Sequence, residues 1–149
     1  MNTISRSFIV SVAAVTALAA IPGGGAVVGS AVGDSPTLTK RLVARSTGEH
    51  DVGRTFLGTD KVRSRSTGRV VGFDSFTGRL FPAQERAVVQ VAVALKGGIV
   101  VFRASVTGSS LRFNGPILRG TGSYRGIEGT VTGRATEGQR TFYTLHYHL

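Results

Sequence analysis

The feature that most constrains the fold is the two-residue spacing of apolar side chains that begins after Val32. Alternate residues of a strand point to opposite faces, whereas a helix returns to the same face every three to four residues. In the segment 98–107, for example, one face carries Val100, Phe102, Ala104 and Val106. The pattern therefore predicts strands throughout and no helix.

The alternation and the short glycine-containing joins predict eight strands. They are Thr37–Ser46, Arg54–Arg65, Gly68–Thr77, Arg86–Lys96, Gly98–Thr107, Leu111–Arg119, Ile127–Thr136 and Arg140–Leu149. Short joins imply antiparallel neighbours, and closure of such a sheet removes its exposed edges. We therefore predict an all-β fold, an eight-stranded antiparallel up-and-down barrel, whose interior is filled by side chains or holds one small ligand.

Residues 1–31 have the anatomy of a cleaved signal peptide. One cation, Arg6, precedes an Ala-rich apolar run from Phe8 to Ile21, and small residues follow. The run is shorter than the roughly 20 residues that a membrane-spanning helix needs. Cleavage is expected after Gly29-Ser30-Ala31 or Gly24-Gly25-Ala26, and an uncleaved anchor is the alternative. We expect a secreted protein whose barrel domain spans residues 32–149.

Composition narrows the chemistry. The sequence has no cysteine, which excludes disulfides, thiolate nucleophiles and Cys-ligated metals. Its net charge is +10, and its arginines are scattered over nearly every strand without a dense cluster of interleaved aromatic residues. Specific nucleic-acid binding is therefore not expected, whereas an anionic cell-surface polymer is a candidate partner. The small or moderately apolar second faces of several strands suggest a homo-oligomer, a dimer or a trimer.

The segment Gly120–Val131, GTGSYRGIEGTV, is the most specific motif in the chain. It matches the pattern GTG-x-Y-x-G-x-x-G and resembles the glycine-rich loop and strand of the allene oxide cyclase and dirigent barrel superfamily. Further matching segments are Gly58–Val62, Gly68–Gly72, Gly97–Ile99 and Phe142–Leu145. The resemblance spans Asp51 to Leu149 and implies the barrel fold.

The departures from the plant members of that superfamily bear on function. The segment Leu42–Ser46 lacks the Glu and Asn that allene oxide cyclases carry on the first strand. Many dirigent proteins have an Asp where Gly122 stands and an Arg where Glu128 stands. The chain is instead similar to bacterial members, some of which resemble cyclases that fold a polyene or polyketide chain for cycloaddition.

The resemblance and the alternation nominate Glu128, Tyr143 and Tyr147 as catalytic residues. Glu128 lies in the glycine motif where relatives place a pocket residue, and an apolar surrounding would raise the pKa of an inward carboxylate. An outward Glu128 paired with an arginine is the alternative. Tyr143 and Tyr147 share the predicted inner row of the last strand and could donate hydrogen bonds to a carbonyl; satisfied core hydroxyls are the alternative.

The expected ligand-binding residues are aromatic. They are Phe73, Phe102, Phe113 and Tyr124, the last as a plug at one end of the barrel. His146 and His148 lie two residues apart on the last strand, but on the face opposite its apolar row, and two imidazoles rarely suffice for a metal. No metal and no cofactor are expected.

The predicted function is that of an exported barrel that binds an apolar small molecule in its interior and steers the molecule's cyclisation or stereochemistry. Such a cyclase or isomerase would act mainly by confinement, which leaves little trace in the sequence. The alternative is a noncatalytic secreted barrel that binds a hydrophobic ligand or an anionic surface. No nucleophile elbow or Ser–His–Asp order supports a hydrolase.

Overall fold

A computed structural model of the chain describes residues 36–107, 111–136 and 139–149. These residues form a closed antiparallel barrel in which each strand pairs with its neighbours in sequence and the last pairs with the first. The strands are β1 (Leu38–Val52), β2 (Thr55–Ser64), β3 (Val70–Phe81), β4 (Arg86–Leu95), β5 (Gly98–Thr107), β6 (Arg112–Gly120), β7 (Glu128–Thr136) and β8 (Arg140–His148). The predicted eight-stranded up-and-down barrel is confirmed. The predicted signal peptide lies outside the described residues.

Two strands are longer than their apolar pattern indicates. β1 continues past Ser46 to Val52, because its polar end pairs with the start of β2 in an extended hairpin after a register shift between Ser46 and Gly48. β3 continues past Thr77 to Phe81, where it pairs with the start of β4. Two short 3-10 turns, Pro82–Gln84 and Gly122–Tyr124, are the helical segments of the described chain. No helix within those residues has the length and apolarity needed to cross a membrane.

The predicted apolar rows point into the barrel. Their buried members on β4, β5 and β8 are Val93, Leu95, Val100, Phe102, Ala104, Tyr143, Leu145 and Tyr147. Full burial of an aliphatic or aromatic side chain contributes roughly 1.5–3 kcal/mol, so these rows supply much of the stability of the barrel. The terminal Leu149, by contrast, is exposed.

The glycine motif covers one end of the barrel, here called the Tyr124 end. Gly122 has a φ of 60°, and a Cβ there would collide with the Gly97 carbonyl, so the loop can lie directly against the β4–β5 turn. Tyr124 is 6% exposed, packs edge-on against Tyr147 at 6.3 Å, and its hydroxyl accepts a 2.7 Å hydrogen bond from Lys40 Nζ. The motif therefore folds Tyr124 into this end of the barrel, as predicted, and the ligand-binding role of Tyr124 stays a prediction.

Candidate functional site

The opposite end of the interior, here called the Phe113 end, has a lining of apolar side chains that stay partly exposed. They are Phe56, Phe76, Leu80, Val89, Val91, Val106 and Phe113. Inward glycines lie beside three of the rings: Gly58 meets Phe76, Gly78 meets Phe56 and Gly133 meets Phe113. A ring that lies against a glycine occupies the wall and less of the lumen. The Phe113 end thus keeps apolar side chains partly accessible at one end of the barrel.

Two carboxyl groups lie in this apolar interior. Asp60 on β2 and Asp74 on β3 are direct partners across the strand pair, and they are 9% and 4% exposed. The Oδ1 atom of each has no hydrogen-bond partner among the described residues. Buried polar atoms in folded proteins are almost always hydrogen-bonded, so a pair of free carboxyl oxygens marks a candidate functional site.

Tyr143 connects β8 to this acid pair. Its hydroxyl donates a 3.2 Å hydrogen bond to Asp74 Oδ2. The ring of Tyr143 packs against Phe102, with 5.6 Å between the ring centroids, which holds the hydroxyl in place. Tyr143 therefore lies inside the barrel, as predicted, but its hydroxyl is engaged with Asp74 and the two act as one unit.

The interior changes the acidity of all three groups. Burial raises the pKa of Asp60 to about 6. Burial, and then the charge of Asp60, raise the pKa of Asp74 to about 7, against a smaller lowering by the Tyr143 hydrogen bond. Burial, followed by the two carboxylates, raises the pKa of Tyr143 well above its ordinary value, so its hydroxyl keeps its proton. Near neutral pH the pair can therefore hold a proton on Asp74 and donate or accept one.

Three other predicted residues also lie inside the barrel but outside this polar group. Tyr147 is four residues beyond Tyr143 on the same row, roughly 13 Å along the strand, and packs against Tyr124 at the other end. Phe102 is buried behind Tyr143, and Phe113 lines the wall. Their proposed roles in catalysis or ligand binding stay predictions.

Two predicted site residues face outward, and their expected interior placement is wrong. Glu128 is on the outer row of β7, its side chain is 78% exposed, and its Oε2 lies 3.5 Å from Nε2 of His148. The alternative, in which Glu128 faces outward and pairs with a basic residue, is confirmed, although the partner is a histidine and not an arginine. Phe73 is 56% exposed because the next residue, Asp74, takes the inward position on β3.

The outer face of β8 carries His146 and His148, as the alternation predicted. Within the described ranges, no group of three or more His, Cys, Asp or Glu side chains is placed to hold a metal ion.

Comparisons with known proteins identify the fold. No protein-family model and no curated protein matches the sequence. Pyocyanin demethylase is 23% identical, with a TM-score of 0.60 over 74% of this chain and 99% of that one. AbnU, an exo-specific intermolecular Diels-Alderase, is 14% identical, with a TM-score of 0.65 over 78% of this chain and 100% of that one. The pterocarpan synthase dirigent protein GePTS1 is 13% identical, with a TM-score of 0.60 over 78% and 86%.

These similarities confirm the barrel fold that the glycine motif predicted for the superfamily. The names of the three proteins describe three different reactions. A shared fold does not select among them, so function has to be argued from the interior of this barrel.

Proposed function

We propose that the barrel binds one largely apolar small molecule in its interior and steers the cyclisation or isomerisation of that molecule, with Asp74 as the acid. The observation that carries this proposal is the buried Asp60–Asp74 pair, in which the Oδ1 atom of each has no hydrogen-bond partner in the described part of the chain. Confinement and acid assistance are the two components of the proposed mechanism.

Confinement comes from the wall of the Phe113 end. Aromatic and aliphatic side chains contact a flexible apolar chain without fixing any one atom, so they select folded conformations by shape. Holding the reacting atoms in a near-attack arrangement can remove roughly 7–11 kcal/mol of a barrier in the best cases. A cycloaddition or ring closure needs no nucleophile beyond this.

Acid assistance comes from Asp74. The Tyr143 hydrogen bond occupies Oδ2 and leaves Oδ1 free to point its proton at a carbonyl or other polar atom of the ligand. Such a hydrogen bond becomes stronger as negative charge develops on that atom, and the apolar surroundings increase its effect. Asp60, the more acidic partner, could accept a proton in an isomerisation. The names of the Diels-Alderase neighbours support a barrel that steers cyclisation.

Occupancy of the interior is testable with a neutral fluorescent probe, N-phenyl-1-naphthylamine. Val91→Trp places a large ring on the inward row of β4, and we expect it to weaken probe binding at least about tenfold, which is about 1.4 kcal/mol. The matched control Gln90→Trp places the same ring on the exposed outer row of that strand and should leave binding unchanged. Equal affinities in both variants and the unmodified protein would place the probe outside the barrel and overturn the proposal.

Catalysis is testable with linear substrates that carry a diene and a carbonyl-activated alkene. We expect product ratios that differ from the uncatalysed reaction, and a rate about a hundredfold lower in Asp74→Asn, which keeps the Tyr143 hydrogen bond but loses the acidic proton. Glu85→Gln, on an exposed turn, is the control for the change from a carboxyl group to an amide. Uncatalysed ratios and rates with every substrate that binds would favour the noncatalytic binding barrel.

Export remains part of the proposal. Cleavage within residues 1–31 would release a domain that starts near Val32. Sequencing the N-terminus of protein recovered outside the cell should give a start near residue 27 or 32, and an intact Met1 in a membrane fraction would indicate an uncleaved anchor. The mass of the purified protein in solution would decide between monomer, dimer and trimer.

A further inference from the structure

The outer face of β5 to β8 carries a groove of about 760 Å³ whose lining includes neither Asp60 nor Asp74. Three arginines line it: Arg65, Arg112 and Arg134. Its remaining outward-facing lining is Ser105, Thr107, Asn114, Thr132, Phe142 and Thr144. The described lining thus contains no Asp or Glu, and combines guanidinium groups with hydroxyl and amide groups. We call it the arginine groove.

Strand pairing assembles the arginine groove from residues far apart in sequence. Arg112 on β6 lies directly opposite Arg134 on β7, which lies opposite Phe142 on β8. The adjacent outward row runs in the same way through Asn114, Thr132 and Thr144. A charged row therefore lies parallel to a hydroxyl and amide row across three strands.

One strand register and one ring contact bring the three cations together at the groove. Arg112 and Arg134 lie directly opposite each other in the register of β6 and β7, which places two cations side by side on this face. The guanidinium of Arg65, after the end of β2, lies over the Phe142 ring at 5.5 Å, which holds a third positive charge at the groove.

We propose that the arginine groove binds a segment of an acidic polysaccharide. Planar guanidinium groups bind carboxylate or sulfate through two hydrogen bonds at once, and the Ser, Thr and Asn side chains can bind sugar hydroxyls. The volume is much larger than one small anion needs, which fits several sugar units. This inference is independent of the reaction proposed for the interior.

The lining disfavours the other common polyanion. Single-stranded nucleic acids stack their bases on exposed aromatic rings. Phe142 is the aromatic residue on the outward row of the groove, and Arg65 covers it, whereas Phe113 and Tyr143 belong to inward rows. Sugar hydroxyls, in contrast, match the hydroxyl and amide row.

The test compares two triple variants of the full-length protein with equal net charge. Arg65→Gln, Arg112→Gln and Arg134→Gln together remove the groove cations, whereas Arg54→Gln, Arg119→Gln and Arg125→Gln remove exposed arginines outside the groove lining. Binding to a sulfated and to a uronic-acid polysaccharide is measured at about 150 mM salt. We expect the groove variant to bind at least one of them about tenfold or more weakly and the control to change less than about twofold.

A second variant distinguishes a specific binding site from general attraction by positive charge. Asn114→Ala with Thr132→Ala keeps every cation but removes two side chains of the hydroxyl and amide row, and it should weaken polysaccharide binding about threefold or more. Equal losses in the two arginine triples would show attraction by net charge only and overturn the proposal. Tighter binding of a single-stranded DNA oligomer than of either polysaccharide, sensitive to the groove triple alone, would also overturn it. Unchanged melting temperatures confirm that each variant is folded.

Discussion

The protein should lose stability as the pH rises from about 4 to about 7 and then level off. The reason is that burial raises the pKa of Asp60 to about 6 and of Asp74 to about 7, so the folded state binds more protons than the unfolded state over that range. Between pH 5 and pH 8, the stabilisation that is lost corresponds to about one pKa unit for Asp60 and about two pKa units for Asp74. At about 1.4 kcal/mol per unit, unfolding at pH 8 should cost about 4 kcal/mol less than at pH 5.

Thermal unfolding at about pH 5 and pH 8 measures this difference. A change of that size corresponds to a fall in Tm of more than about 10 °C for a domain of this length. Asp74→Asn removes the larger contribution. It should reduce the loss in free energy of unfolding between pH 5 and pH 8 to about 1.5 kcal/mol, mainly by raising the stability at pH 8. Glu85→Gln, the same change from carboxyl to amide on an exposed turn, should leave the loss of stability between pH 5 and pH 8 unchanged. A protein equally stable or more stable at pH 8 would show that the two carboxyl groups do not share an apolar interior.

The barrel could be predicted because its signals are local. Period-two alternation depends on neighbouring residues, and the short glycine turns fix antiparallel order. The two strands that were underestimated, β1 and β3, extend where pairing with a neighbour holds a polar or glycine-interrupted segment in place. Their ends depend on the partner strand, which the segment itself does not encode.

The acid pair was missed because hydrophobicity was followed in place of strict alternation. On β3 the exposed aromatic Phe73 looks like the inward residue, but Gly72, Asp74 and Phe76 form the inward row. On β2, Asp60 has the same parity as the buried Val62. A parity count through Val62 and Phe76 would have placed both carboxyl groups inside the barrel. The same count places Glu128 on the outer face, because Val131, three residues further along the strand, faces inward.

The arginine groove had no signal in the sequence. Arg65, Arg112 and Arg134 belong to three different strands or their ends, and no spacing along the chain relates them. Only the registers of β6 with β7 and of β7 with β8 bring the two rows together. Features that depend on register across several strands need the closed barrel before they can be recognised.

Tyr143→Phe and Asp60→Asn should change the pH dependence in opposite directions. The Tyr143 hydroxyl lowers the pKa of Asp74 by binding its carboxylate, and the charge of Asp60 raises it. Tyr143→Phe should therefore steepen the loss of stability with pH: a hydrogen bond to a charged group contributes about 1.5–3 kcal/mol, against about 1 kcal/mol for a neutral one. Asp60→Asn should reduce the loss, since one buried charge disappears and the remaining carboxyl group ionises more easily.

Tyr147→Phe is the matched control for the Tyr143 change, since it removes a hydroxyl from the same inward row at the other end of the barrel. Its stability curve should run parallel to that of the unmodified protein, while carboxyl ¹³C chemical shifts follow Asp74 directly in each variant. The apparent pKa of Asp74 should rise in Tyr143→Phe and fall in Asp60→Asn. Movement of the two variants in the same direction would break the link between the three groups. If Asp74 is the acid in a cyclisation, the pH at which the rate declines must follow those shifts, because the reaction then needs the same proton that the fold retains.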